Sequence, residues 1–172
     1  MKDTIRLSGV IAGSVVDGPG YRFVIFVQGC PHHCKGCHNP TTWDYDKGII
    51  VSIDKLIDLI LQNAWCDAIT LSGGEPLEQA EELCCLLDLL KKRSNKTYNI
   101  LTYTGYVFEN IYDYGSEFQK KLILNSDYVI DGPFIESEKS LDLKFRGSNN
   151  QRILEPKNIL CMNSKVNLNK IF

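Results

Sequence analysis

Three cysteines near residue 30 are the residues of this chain best placed to do chemistry. Cys30, Cys34 and Cys37 have the spacing C-x3-C-x2-C within one short segment. A structural zinc site needs four ligands and is usually built from paired C-x2-C units. A [4Fe-4S] cluster takes one thiolate per iron, so three thiolates leave one iron open to another ligand. The odd number of cysteines therefore favours a cluster with an open iron.

Two other uses of these cysteines stay open on the residues alone. A zinc ion could take its fourth ligand from a nearby histidine, and the candidates are His32, His33 and His38. No second C-x2-C pair elsewhere in the chain supports that arrangement. A redox pair formed by Cys34 and Cys37 would leave Cys30 without a role.

The rest of the composition describes an ordinary globular protein. The formal net charge is −2, which predicts neither a nucleic acid nor an anionic membrane surface as a partner. No apolar stretch approaches the ~20 residues that span a bilayer, and no apolar signal region follows the N-terminus. Four further cysteines lack cluster spacing and are predicted to be small buried residues: Cys66, Cys84, Cys85 and Cys161. The lack of a membrane span and of a signal region predicts a cytoplasmic location, where thiols stay reduced.

Strands and helices are predicted to alternate along the chain. Short apolar runs predict strands over 22–28, 68–71, 99–104 and 128–130, and each ends in a polar or glycine-bearing loop. Helical periodicity predicts a helix after an N-cap at Ser52, a second helix that ends at the basic residues 91–93, and a third over 118–124. The apolar face of the second helix consists of Leu83, Leu86, Leu87 and Leu90.

This alternation predicts an α/β fold made of parallel βα units. All the polar loops then lie at the C-terminal ends of strands, where such folds place their sites. A full eight-unit barrel needs about 250 residues, so this chain of 172 residues is predicted to form a partial (βα) barrel with a mostly parallel open sheet. We expect one domain over 1–172, with a flexible polar tail over 156–172.

A glycine turn follows the second predicted strand, with the sequence Ser-Gly-Gly-Glu-Pro over residues 72–76. Glycines allow backbone N–H and C=O groups to approach a ligand closely, and the carboxylate of Glu75 can pair with an ammonium group. Taken alone, the segment fits a strand-to-helix turn with a proline near the helix start better than it fits a binding site.

The cysteine spacing in a loop over 29–41, together with the glycine turn, resembles the radical S-adenosylmethionine (SAM) superfamily. In that superfamily three cysteines hold a [4Fe-4S] cluster whose open iron binds the amino and carboxylate groups of SAM. The resemblance implies that Cys30, Cys34 and Cys37 are the cluster ligands. It also implies that the glycine turn binds the methionine part of SAM, through backbone contacts of Gly73 and Gly74 and an ammonium contact of Glu75.

The same resemblance implies further SAM contacts. Gly36, Cys37 and His38 would lie along SAM, with His38 near the adenine. Thr104 and Asp131 lie at strand ends where relatives hold SAM or a monovalent cation near its carboxylate.

Charged residues in two other motifs have open roles. Asp17 and Arg22 could face an incoming partner or cap an element. Arg146 and Arg152 could contact SAM or a partner, or could be solvated surface charges.

Several motifs indicate a particular branch of the superfamily. Segments 17–22 and 37–43 resemble the activating enzymes of glycyl radical enzymes, and segments 101–106, 129–134 and 145–152 resemble the activators of the anaerobic ribonucleoside-triphosphate reductase. The resemblance implies that a 5′-deoxyadenosyl radical abstracts hydrogen from a glycine of that reductase. It also implies a flavodoxin or ferredoxin as a low-potential electron donor.

Three alternatives to this function stay open from the sequence. The chain could activate a pyruvate formate-lyase type of enzyme, or act on a small molecule as a carboxy-deazaguanine synthase does. The non-enzymatic alternative is a zinc-binding interaction module.

Overall fold

A computed structural model of the protein describes residues 2–163, with side chains described through residue 159. The strands are β1 (Thr4–Ser14), β2 (Arg22–Val27), β3 (Ile49–Ser52), β4 (Ala68–Gly73), β5 (Asn99–Tyr103), β6 (Tyr128–Asp131) and β7 (Arg152–Leu154). The helices are α1 (Ile53–Gln62), α2 (Ala80–Arg93), α3 (Phe108–Tyr114), α4 (Glu117–Asn125) and α5 (Pro156–Asn163). Short 3-10 turns occupy Pro40–Thr42, Pro76–Gln79 and Glu136–Glu138.

The strands form one open sheet in the order β3-β1-β2-β4-β5-β6-β7, so the protein has a mixed α/β fold. The four predicted strands are confirmed as β2, β4, β5 and β6, which are parallel to one another. The prediction of a mostly parallel sheet is wrong, because the β3–β1, β1–β2 and β6–β7 pairs are antiparallel. The connection between β1 and β2 is shorter than the crossover of about a dozen residues that parallel neighbours require.

One face of this sheet carries the apolar core. The three predicted helices are confirmed as α1, α2 and α4, and they pack on that face. α1 begins after Ser52 as predicted, although the Ser52 side chain accepts no capping hydrogen bond. α1 buries Leu56, Ile57 and Ile60 at helical spacing. Burying one such side chain contributes about 1.5–3 kcal/mol, so this layer is the main source of stability.

Two of the four cysteines outside the cluster loop lie in this core. Cys66 and Cys84 are buried as predicted, and Cys85 is partly buried. The side chain of Cys161 lies outside the described residues. Of the predicted flexible tail over 156–172, the first part forms α5 and residues 164–172 also lie outside the described part of the chain.

The opposite face of the sheet is covered by the β1–β2 connection. The backbone carbonyl of Asp17 accepts a hydrogen bond of 2.8 Å from Thr70 Oγ1. The fully buried guanidinium of Arg22 donates to the carbonyls of Pro19 at 2.9 Å and Ile69 at 2.7 Å. Burial lowers the pKa of Arg22 to about 10. The structure therefore gives Arg22 the role of fastening this connection to the sheet.

The segment between β6 and β7 covers the C-terminal end of the same face. The hydroxyl of Tyr103 donates to the backbone carbonyl of Phe145 at 2.8 Å, which ties this segment to the end of β5. In residues 2–163, none of the helices has both the length and the hydropathy that crossing a bilayer requires.

Candidate active site

A cavity of about 580 Å³ opens where the central parallel strands end. Phe26, Ser72 and Tyr103 line it from the ends of β2, β4 and β5. Every predicted site residue except Gly36 and Asp131 lines the same cavity. The arrangement follows from the topology, because the C-terminal ends of parallel strands meet at one edge of a sheet.

The cysteine loop begins where β2 ends and is closed at its neck by backbone hydrogen bonds. The N–H of Gly29 donates to the carbonyl of Thr42 at 2.8 Å, and the N–H of Cys30 donates to the carbonyl of Trp43 at 3.1 Å. The side-chain amide of Gln28 donates to two further carbonyls on the far side of the neck, at 3.0 and 2.7 Å. The two ends of the loop are therefore held together, and the thiols project from a closed ring of chain.

The three thiols of the loop are free and all line the cavity. Cys30 is buried, and burial raises the pKa of its thiol to about 11. Cys34 and Cys37 are half-buried. Metal coordination removes the proton from such a thiol, and the positive charge of a bound metal group would offset the cost of burying the resulting thiolate.

The arrangement of ligands fits a cluster better than a single ion. Within residues 2–159, no three His, Cys, Asp or Glu side chains converge closely enough to hold one metal ion. A [4Fe-4S] cluster takes one thiolate at each iron, so its protein ligands surround a larger object and need not converge on a point. Three thiols around one cavity meet that requirement.

The histidines of the loop do not complete a zinc site. His32 is hydrogen-bonded to a carboxylate of the glycine turn. The exposed ring of His33 packs against Trp43, with ring centroids 4.9 Å apart. The ring of His38 packs against Phe134 at 5.2 Å and lines the cavity.

The glycine turn packs directly against the chain that enters the cysteine loop. Gly73 has a φ of +98°, and a Cβ there would lie 2.6 Å from backbone atoms of Val27. A Cβ on Gly74 would lie 2.2 Å from the carbonyl oxygen of Gly29. The N–H groups of Gly74 and Glu75 donate to the carbonyls of Val27 at 2.7 Å and Gly29 at 2.8 Å. Close backbone packing therefore explains both glycines, beside the ligand contact expected from the sequence.

The carboxylate of Glu75 lies at the cavity wall and is 1% exposed. Its Oε1 accepts from the N–H of Leu77 at 3.0 Å, and its Oε2 accepts from the N–H of Gly105 at 2.8 Å. The Nε2 of His32 lies 2.8 Å from the same Oε2. These three donors offset the cost of burying the carboxylate. A carboxylate has about four acceptor sites, so about one remains for a ligand.

Thr104 and Gly36 have different relations to the cavity. Thr104 is buried and lines it, while its Oγ1 accepts from the N–H of Tyr106 at 3.1 Å. Gly36 does not line the cavity. It has a φ of +75°, and a Cβ there would lie 2.9 Å from Oε1 of Glu136, so a glycine allows the 3-10 turn at Glu136 to approach the cysteine loop. Lys35 pairs with the same carboxylate at 3.1 Å.

Asp131 is not brought to the cavity, although it ends a central strand. Its Oδ1 accepts from Nε of Arg152 at 3.0 Å, and its Oδ2 accepts from Nη2 of Arg152 and from the N–H of Phe108 at 2.8 Å. Arg152 also donates to both oxygens of Glu109, at 3.0 and 2.7 Å. These hydrogen bonds raise the pKa of Arg152 and lower the pKa of Glu109. Asp131 of β6, Arg152 of β7 and Glu109 of α3 therefore form one group of ion pairs, here called the ionic clamp, that joins these three elements.

The segment after β6 supplies further cavity residues, of which the sequence singles out only Arg146. Lys139, Leu141, Phe145 and Arg146 line the cavity from this segment. Arg146 donates from Nη1 to the carbonyl of Gln151 at 3.0 Å, while its buried Nε has no hydrogen-bond partner among the described residues. The segment is mostly irregular, so no periodic pattern in the sequence could have revealed it.

Comparisons with known proteins agree with this site. Residues 16–154 match a protein family described as a 4Fe-4S single cluster domain. A protein of Enterobacteria phage T4 named "Anaerobic ribonucleoside-triphosphate reductase-activating protein" is 37% identical over 144 residues, which cover 80% of this chain and 86% of the relative. A protein of the same name from Vibrio cholerae is 36% identical over 145 residues, which cover 81% of this chain and 90% of the relative.

A solved structure, that of QueE from Escherichia coli, is also similar. The TM-score is 0.45 and the sequence identity is 19%, over 59% of this chain and 52% of that chain.

Proposed function

Because the chain belongs to the family of anaerobic ribonucleoside-triphosphate reductase-activating proteins, we propose that it activates such a reductase with a [4Fe-4S] cluster and SAM. One observation carries the proposal: the three thiols and the glycine-turn carboxylate line a single cavity at the ends of β2 and β4. Cys30, Cys34 and Cys37 would hold three irons and leave the fourth for SAM. When bound, the cluster supplies one electron that cleaves SAM to methionine and a 5′-deoxyadenosyl radical, which takes a hydrogen atom from a glycine of the reductase.

The contribution of the chain is to hold and orient these groups. The closed neck at Gly29 and Cys30 fixes where the thiols start relative to the sheet. The remaining acceptor site of Glu75 faces the same cavity and can accept a hydrogen bond from the amino group of SAM. Placing reactants in a defined geometry supplies a large part of a rate enhancement, and the cavity also limits access of water.

Other contacts with SAM follow from the lining of the cavity. Gly36, Cys37 and His38 would lie along SAM with His38 near the adenine, although Gly36 does not itself line the cavity, and backbone groups of Gly73 and Gly74 would contact the methionine part. Thr104 would line the methionine end. Arg146 lines the cavity and its buried Nε has no hydrogen-bond partner among the described residues, so its guanidinium suits the carboxylate of SAM.

A direct contact of Asp131 with SAM or a cation stays a prediction. The geometry gives it no support, since Asp131 does not line the cavity and its charge is paired with Arg152.

The wider features of the proposal rest on the same family. We include in it a partial (βα) barrel of the radical SAM type, built on the parallel strands β2, β4, β5 and β6. We also include a cytoplasmic location, because six free thiols within the described residues suit a reducing compartment. The electron donor is proposed to be a flavodoxin or ferredoxin. The curated relatives favour the reductase over a formate-lyase type of partner or a small molecule.

The test is formation of the glycyl radical on a reductase. The protein is reconstituted anaerobically with iron and sulfide, reduced with dithionite, and mixed with SAM and the anaerobic reductase. We expect 5′-deoxyadenosine by chromatography and a glycyl radical by electron paramagnetic resonance. A reductase whose target glycine is replaced by alanine is the control and should show no radical. A loaded, reduced cluster that produces neither signal with the reductase present would overturn the proposal.

A further inference from the structure

His32 belongs to the cysteine loop, yet its side chain reaches the glycine turn. Its Nε2 lies 2.8 Å from Oε2 of Glu75, and its side chain is 17% exposed. A carboxylate offers only acceptor atoms, so the imidazole is the donor in this bond. The residue thus connects the segment that bears the thiols to the carboxylate that lines the same cavity.

Two neighbours fix the orientation of the imidazole. The ring of Tyr106 packs edge-to-face on it, with centroids 4.5 Å apart and an interplanar angle of 71°. On another side lies Gly105, where a Cβ would come within 2.4 Å of Cδ2 of His32. A residue with a side chain at position 105 would therefore displace the imidazole.

The same glycine also serves the carboxylate directly. The N–H of Gly105 donates to Oε2 of Glu75 at 2.8 Å, so His32 and Gly105 bond to one and the same oxygen. The other oxygen, Oε1, accepts only from the N–H of Leu77 among the described residues. Two donors on Oε2 fix the rotation of the carboxylate and thereby the direction of the acceptor site that remains.

We propose that His32 is a positioning residue that fixes the carboxylate of Glu75 so that its remaining acceptor site faces the amino group of bound SAM. This inference rests on the proposed function and adds to it a residue without direct contact to SAM. It also makes the cysteine loop and the SAM site one connected unit, because His32 lies between two of the cluster cysteines.

The experiment compares the same substitution at two neighbouring histidines. His32→Asn shortens the side chain and breaks the bond to Glu75. His33→Asn is the control, because the exposed ring of His33 packs against Trp43 and asparagine tolerates its φ of 47°. Both variants and the wild type are reconstituted anaerobically, and their iron content is measured before any binding experiment.

The readout is the dissociation constant for SAM and for a deaminated analogue in which hydrogen replaces the α-amino group. We expect His32→Asn to retain its iron and to bind SAM about tenfold more weakly, as for loss of one charge-assisted hydrogen bond. Its affinity for the deaminated analogue should equal that of the wild type, because the analogue lacks the α-amino group that would donate a hydrogen bond to Glu75. His33→Asn should match the wild type in all three measurements.

Gly105→Ala is a second route to the same defect. Its added Cβ displaces the imidazole, so we expect it to weaken SAM binding as His32→Asn does. In the double variant the two effects should not add, since both act on one hydrogen bond.

The inference is overturned if His32→Asn binds SAM as tightly as the wild type, or if it weakens SAM and the deaminated analogue equally. Loss of iron in His32→Asn would also overturn it, because the residue would then act on the cluster loop itself. Failure of the proposed function has a different result: the wild type would take up no iron or bind no SAM.

Discussion

Glu75 and Asp131 are both acidic residues at the ends of central parallel strands, and each is 1% exposed. Each carboxylate accepts three hydrogen bonds from described residues, so the number of bonds does not distinguish them. The two carboxylates differ in the kind of donor that holds them. Glu75 is held by two backbone N–H groups and an imidazole, whereas Asp131 is held by a guanidinium and one backbone N–H.

The difference shows how a fold separates a binding group from a structural one. Arg152 neutralises Asp131 and turns it away from the cavity toward α3. The donors of Glu75 keep its carboxylate at the cavity wall with one acceptor site to spare. A ligand amino group donates a stronger hydrogen bond to a carboxylate that has no fixed cation beside it than to one that is already paired.

The largest effect is expected from replacing a cysteine that holds the cluster beside Glu75. Cys34→Ser should lose most of its iron and all SAM cleavage, because two thiolates cannot hold the cluster. Iron content and 5′-deoxyadenosine are the measurements. Cys85→Ser, a partly buried cysteine of α2, is the control and should keep both. Full activity in Cys34→Ser would remove the cluster assignment.

The next largest effect is expected from breaking the ionic clamp around Asp131. Arg152→Gln leaves the buried carboxylate of Asp131 without its cation, which should lower the free energy of unfolding by about 3 kcal/mol. This is the lower end of the usual range, because the Arg152 side chain keeps 31% exposure. SAM affinity should change by less than about twofold, well below the effect of losing one charge-assisted hydrogen bond.

Urea denaturation at pH 7 gives the unfolding free energy of this variant. Adding Asp131→Asn should restore part of the loss, since no unpaired charge then remains buried. Unaltered stability in Arg152→Gln would show that the clamp contributes nothing.

A somewhat smaller effect is expected from disturbing the close backbone packing of Gly74, which positions Glu75. Gly74→Ala puts a Cβ 2.2 Å from the Gly29 carbonyl, so it should destabilise the protein by about 1–3 kcal/mol and reduce iron uptake. Gly9→Ala is the matched control, because a Cβ there meets nothing within 4 Å. Thermal unfolding and iron analysis compare the two. Equal behaviour of the two variants would contradict the packing account of the glycine turn.

The smallest expected effect is the pH dependence of stability that Glu109 of the ionic clamp contributes. The hydrogen bond from Arg152 lowers the pKa of Glu109 below its usual value of 4.5. Its contribution to stability is therefore present above that value and is lost as the pH falls through the lowered pKa. Glu109→Gln should cost less than about 1 kcal/mol at pH 7, since Glu109 is partly exposed. The difference from the wild type should shrink below about pH 4.5, whereas a constant difference would argue against the ion pair.

The sequence was sufficient to predict the centre of the fold. Continuous apolar runs mark buried parallel strands, and helical periodicity marks α1, α2 and α4, because each pattern reflects which face is buried. β1 was missed, since it is half exposed and alternates only weakly. β3 and β7 are too short for a pattern of their own.

The sequence could predict which residues share the cavity, but it could not predict the hydrogen-bond and ion-pair partners of those residues. Parallel strands bring their following loops together, so the thiols and Glu75 could be expected to share a cavity. The sequence could not distinguish Glu75 from Asp131, because the distinction depends on Arg152 and Glu109, which lie far from Asp131 along the chain. The same holds for His32, whose partner is 43 positions away.

The most direct test measures SAM affinity in two variants that each remove one of the compared charges. Glu75→Gln and Asp131→Asn are reconstituted anaerobically to equal iron content, and the dissociation constant for SAM is measured for each. We predict that Glu75→Gln binds SAM at least about tenfold more weakly than the wild type, as expected for a lost charged hydrogen bond, while Asp131→Asn binds it within about twofold. The account is contradicted if Asp131→Asn weakens SAM binding as much as Glu75→Gln does, or if Glu75→Gln leaves it unchanged.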